Sequence, residues 1–164
     1  MTLSQSIATV GGIGYLRPAP GTWGSLVALP VAWGLWQIGG LWLFVLALPI
    51  TFLAGWWATA RQTRDAAEHD PSEIVIDEVA GQFIALLPVM IGAQAMGAEV
   101  TRLWPGWVAA FVLFRVFDIW KPGPIQRLDG WATPFGVMAD DALAGLFAAI
   151  AVSALAALSH GVLM

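Results

Sequence analysis

Asp77, Glu78, Asp118, Asp140 and Asp141 stand where long apolar stretches begin or end, in a chain whose charged content is only 11%. A charge at the bilayer centre costs roughly 2.5 to 3.5 kcal/mol on insertion scales, and one at a helix end still costs something, so acids placed here need a reason. Two carboxylates brought to about 4 Å repel by roughly 4 kcal/mol at an effective dielectric of about 20. Protonation or a cation must relieve that repulsion. Hard oxygen ligands, with no thiolates and no paired imidazoles, select magnesium, calcium or manganese over zinc or copper. Magnesium keeps several waters and is usually held by a few carboxylates together with phosphate oxygens, so these acids point to a phosphate-bearing headgroup at a membrane surface.

Four stretches carry the candidate chemistry. In Ile76-Asp77-Glu78-Val79-Ala80-Gly81-Gln82, Glu78 and Gln82 fall one turn apart on one helix face, and the first-turn acids are favoured by the helix dipole. Capping would account for one acid; two acids followed by an amide suit a ligand site better. In Arg115-Val116-Phe117-Asp118-Ile119-Trp120-Lys121-Pro122, Arg115, Asp118 and Lys121 recur every third residue. Pro122 biases Lys121 out of helical geometry, which lets it swing toward a phosphate. Arg115 can equally pair with Asp118 to let a charged helix insert, and the two roles are compatible. Gly136 to Gly145 reads as loop then helix, with Asp140 near the cap and Asp141 one turn before Gly145. Pro20-Gly21-Thr22-Trp23-Gly24-Ser25 opens an apolar stretch with glycines, the Thr22 and Ser25 hydroxyls and free amides, which attract anions or simply cap the helix.

The elements that must position these groups are membrane helices. The 164 residues are 59% hydrophobic, with a mean hydropathy of +0.76, against roughly 45 to 50% apolar usage in soluble domains. A span needs about 20 apolar residues. Five segments approach this: Thr22 to Ile38 and Leu41 to Ala60, forming a tight hairpin about Gly39 and Gly40; Val79 to Gly97, which Pro88 should kink; Trp107 to Ile119, the shortest; and Ala142 to Met164. The expected fold is an all-α, polytopic membrane bundle in one domain over 1–164.

With the N-terminus inside, segments 1–21, 61–78 and 120–141 are cytoplasmic and hold Arg17, Arg61, Arg64, Lys121 and Arg127. Arg115 lies one turn from the same face, and only Arg102 falls outside, as the positive-inside rule requires. All five acids then converge on the cytoplasmic surface. The opening residues lack the features of a cleaved signal peptide.

Other features read as structure. Arg61 to Glu73 looks like a helix running into water until Pro71, with Asp65, Glu68 and His69 on a solvated face. His160 marks the opposite membrane exit. Gly145, Ala149, Ser153 and Ala157 form a small-residue packing stripe. Ten tryptophans against one tyrosine suit the bilayer interface. A net charge of −4 with scattered basic residues argues against nucleic acid, and zero cysteines excludes thiolate zinc sites and cysteine nucleophiles.

The blocks PGTWGS, DPSEIVIDEVAGQ, FRVFDIWKPGPI and GVMADDALAG, in that order between Gly12 and Leu158, resemble the phosphatidylglycerophosphatase A family. The resemblance implies a magnesium-dependent phosphatase of the bacterial inner membrane that converts phosphatidylglycerophosphate to phosphatidylglycerol. It points to Asp77, Glu78, Asp118, Lys121, Asp140 and Asp141 as site residues. Direct attack by water and a covalent aspartyl phosphate both remain open, with water favoured because no Asp-x-Asp arrangement is present. A small cation-coupled transporter is the alternative from another class, and a structural assembly partner would leave the acids without a task.

Overall fold

A computed structural model of the chain describes residues 1–64 and 71–163, with side chains through residue 159. Among these residues the fold is entirely helical. Its elements are α1 (Leu3–Ala8), α2 (Pro20–Gln62), α3 (Ile76–Met96), α4 (Trp104–Trp120), α5 (Pro124–Asp129) and α6 (Pro134–Leu163). Short 3-10 turns at Ile13–Tyr15 and Val100–Leu103 precede α2 and α4. Four of these helices are long and apolar enough to cross a membrane, so the chain is a membrane protein.

The 43 residues of α2 would reach about 65 Å if straight, twice the roughly 30 Å of a bilayer's hydrocarbon core. Two glycines solve this. Gly39 (φ −144°, ψ 16°) and Gly40 (φ 59°, ψ −153°) leave helical geometry, and the second combination is one that only glycine adopts without strain. The two legs then line one apolar groove of about 390 Å³, Leu35 with Leu43 near the turn and Val27 with Ile50 nearer the other end. The expected hairpin is present, with no loop between its legs.

α3 is the most buried of the spanning helices and packs against α2, α4 and α6. Its Phe83 meets Phe44 of the second leg at 5.5 Å between ring centroids. The helix is continuous through Pro88 and ends at Gly97, whose φ of 57° allows its amide to bond back to Ala93 and Gln94.

Two sequence-based boundaries need correction. The fourth span is longer than Trp107 to Ile119, since Pro105 starts α4 and the 3-10 turn extends the apolar run back to Val100. Gly136 to Gly145 is helical throughout, because Thr133 Oγ1 accepts from the Gly136 amide at 3.1 Å and Pro134 begins α6. Asp140 is therefore in the second turn and does not cap. α2 itself ends at Gln62, where both the amide and the hydroxyl of Thr63 bond to the Thr59 carbonyl, and residues 65–70 of the stretch expected to be helical lie outside the described residues. Asp65, Glu68 and His69, like the side chain of His160, lie outside the described residues.

The connecting segments gather at one end of the bundle. Val75 donates to the Ala8 carbonyl at 2.9 Å, Arg17 Nη2 to Ser72 Oγ at 3.2 Å, and Gly14 lies directly on the Glu73 backbone. That end is where α2, α3 and α6 begin and α4 finishes.

Candidate active site

The site begins with the glycines that set how closely α3 and α6 cross. A Cβ on Gly81 would stand 2.6 Å from the Asp141 carbonyl oxygen and 2.5 Å from Phe114 Cε2, and one on Gly145 would collide with the Gly81 backbone. Only bare backbone fits on both sides. One turn before Gly81 lie Asp77 and Glu78, in the first turn of α3 with its unpaired amides. The Asp77 carboxylate accepts from the Glu78 amide at 3.0 Å. Because the helix axes approach so closely, ligand-capable oxygens of Asp77, Glu78 and Asp141 all lie within 4.8 Å of one another.

Asp77 is 6% exposed and Asp141 4%. At 4.8 Å two carboxylates repel by about 3.5 kcal/mol at an effective dielectric of about 20. An all-oxygen donor set in this geometry can hold a metal ion, and its hardness suits a divalent cation of the magnesium, calcium or manganese type.

Basic residues flank the three acids on either side. Arg115 Nη1 sits 2.6 Å from Asp118, one turn along α4, and donates to Ser25 Oγ at 3.4 Å. Ser25 in turn donates to the Gly21 carbonyl at 2.9 Å, and Gly21 lies against the Glu78 carboxylate. The start of α2 is thereby fixed beside the acids. Thr22 occupies the same first turn, half-buried, with its amide bonded to Ala19.

Lys121 has left the helix, as Pro122 requires, but into a left-handed conformation (φ 47°, ψ 56°) that closes α4. Its Nζ donates to Asp140 at 2.7 Å and also to Asp129 at the end of α5. Partial burial works against its charge, yet the two carboxylates outweigh that and hold the ammonium well above the ordinary lysine value.

The structure thus brings Asp77, Glu78 and Asp141 to one point and sets Asp118 and Asp140 beside it, each in an ion pair. Gln82 is wholly buried one turn beyond Glu78. Asp129, the last residue of the short α5, was not singled out from sequence, because it lies in a polar segment rather than at the boundary of a long apolar stretch. The small-residue stripe on α6 holds for its first half only: Gly145 and Ala149 are packed, whereas Ser153 and Ala157 are exposed.

A family model described as phosphatidylglycerophosphatase A matches residues 6–156. The chain belongs to that family. Its phosphatidylglycerophosphatase A relative from Haemophilus influenzae is 39% identical over 145 residues, covering 88% of this chain and 83% of the relative. The phosphatidylglycerophosphatase A of Escherichia coli is 36% identical over 140 residues, 84% of this chain and 74% of that protein. A Bacteroides thetaiotaomicron protein, provisionally named a phosphatidylinositol-3-phosphatase, is 34% identical over 151 residues, 90% of this chain and 89% of its own length. No solved structure matches the chain. Membership in a phosphatase family, with acids gathered at helix ends rather than mid-span, leaves the transporter alternative without support.

Proposed function

We propose that this chain removes the terminal phosphate of phosphatidylglycerophosphate, giving phosphatidylglycerol and inorganic phosphate, with Mg2+ at the cytoplasmic face of a bacterial inner membrane. The observation that carries this reading is the meeting of Asp77, Glu78 and Asp141 oxygens within 4.8 Å in a member of the phosphatidylglycerophosphatase A family. Among the described residues, the buried Glu78 Oε2 has no hydrogen-bond partner, which fits a cation ligand. Asp77, Glu78 and Asp141 would hold the ion, with Asp118 and Asp140 completing its surroundings. A divalent cation bound there supplies polarisation of a phosphoryl oxygen and activation of water.

The chain's own groups do the rest. Arg115 and Lys121 offset part of the negative charge of five neighbouring carboxylates, so that a phosphomonoester can approach, and each presents N–H donors to its oxygens. Ser25, held by Arg115 and Gly21, lends a hydroxyl at the start of α2. Asp118, oriented by Arg115, is placed to take a proton from attacking water. Direct attack by water is preferred to an aspartyl phosphate, since no aspartate here stands in an Asp-x-Asp arrangement. The N-terminus is cytoplasmic because Arg17, Arg61, Arg64, Lys121 and Arg127 share the acid end and only Arg102 lies toward the other.

Purified protein in detergent should release phosphate from phosphatidylglycerophosphate with Mg2+, and chelation should abolish release. Absence of release under any divalent cation, or full release after chelation, refutes the proposal.

A further inference from the structure

Among the described residues, the buried side-chain polar atoms without a hydrogen-bond partner are Thr59 Oγ1, Glu78 Oε2, both amide atoms of Gln82 and Arg115 Nε. Thr59 apart, they belong to residues the site already gathers. Gln82 is 0% exposed and follows Glu78 by one turn on the same helix face, about 6 Å deeper along α3. A buried amide with neither end satisfied is costly. A polar ligand is the physical reason to keep it.

The donors and acceptors define that ligand. Gln82 offers two N–H donors and one carbonyl acceptor, Glu78 Oε2 is an acceptor and Arg115 Nε a donor. A phosphate dianion only accepts, so it cannot satisfy the Gln82 carbonyl. A hydroxyl does both. We propose that Gln82 reads the free hydroxyl of the headgroup glycerol beside the phosphomonoester, and so determines specificity. This rests on the phosphatase reading above. Gln82 lies one turn deeper along α3 than the acids at which the phosphate would sit.

The test compares kcat/KM for phosphatidylglycerophosphate with that for the same lipid carrying propane-1,3-diol in place of the headgroup glycerol, in wild type and in Gln82→Leu. A buried site built around a substrate hydroxyl rejects the analogue lacking it, so wild type should prefer the hydroxylated lipid by roughly 100-fold or more. In Gln82→Leu the two lipids should converge to within about threefold, through loss on the hydroxylated one. The thermal midpoint of ligand-free Gln82→Leu should equal or exceed that of wild type, because an unsatisfied amide has been removed. A preference that survives in Gln82→Leu overturns the proposal. So does a lowered midpoint, which would mark Gln82 as a structural group satisfied by water. Release from neither lipid by wild type removes the phosphatase reading as well, whereas release from both with an unmoved ratio removes this inference alone.

Discussion

At the residue scale, Asp77, Glu78 and Asp141 are proposed to share one ion. Asp77→Asn and Asp141→Asn are each expected to lower kcat for phosphate release by roughly 100-fold or more, with folded protein retained. A stability readout separates ligation from packing: Mg2+ should raise the thermal midpoint of wild type, as any ligand of the native state does, and leave both variants unmoved. In chelator, Asp141→Asn should be at least as stable as wild type, since one of three mutually repelling carboxylates has gone. Lys121→Met should raise KM by about tenfold with a smaller change in kcat, the signature of lost phosphate binding. Lys121 has its pKa raised in the folded state, so its ion pairs are fully present below the usual lysine pKa of about 10.4 and weaken only as pH climbs past that into the raised folded value. Between about pH 6 and about pH 9 the KM ratio of Lys121→Met to wild type should therefore stay flat; a ratio that falls across this window contradicts the assignment.

Sequence order alone treats Asp140 and Asp141 alike, yet they do different things. Adjacent residues on a helix point about 100° apart, so once α6 is seated by Gly145 on Gly81, Asp141 faces α3 and Asp140 faces Lys121. The acids of α3 were legible because capping needs only one of the two charges in the first turn of so apolar a helix. Which of the remaining acids joins them was not, since that depends on the rotation of a second helix.

At the element scale, two pairs of glycines have separate tasks. Gly81 and Gly145 fix the α3–α6 spacing, so Gly81→Val should push the helices apart and take phosphate release down by about 100-fold, the cost of misplacing reacting groups by about 1 Å. Gly40 holds the hairpin turn at φ 59°, far from the acids; Gly40→Ala should destabilise by about 1 to 3 kcal/mol while leaving turnover per folded molecule within about twofold. Equal loss of turnover in the two variants would deny this division. The hairpin was readable from the glycine pair amid an apolar run too long for one span. The starts of α4 and α6 were misplaced because Pro105 and Pro134 act as first-turn residues, a signal that hydropathy does not weigh.

At the scale of the whole molecule, the bundle has one chemical end. Trp23, Trp120 and Trp131 are exposed near the acids, and Trp42 and Trp104 are exposed toward the other end, giving two aromatic girdles. Because the chain has no cysteine, single introduced cysteines report topology without interference: Gln126→Cys should react with an impermeant thiol reagent only from the cytoplasm, and Ala98→Cys only from outside. The opposite labelling would reverse the orientation proposed from the basic residues.

The most direct test of the shared ion is Mn2+ binding to the purified protein, followed by electron paramagnetic resonance, in wild type and in Asp77→Asn and Asp141→Asn. Wild type should bind Mn2+ and lose it to excess Mg2+, whereas each folded variant should bind much more weakly. Undiminished Mn2+ binding in both variants would show that Asp77 and Asp141 do not form the site.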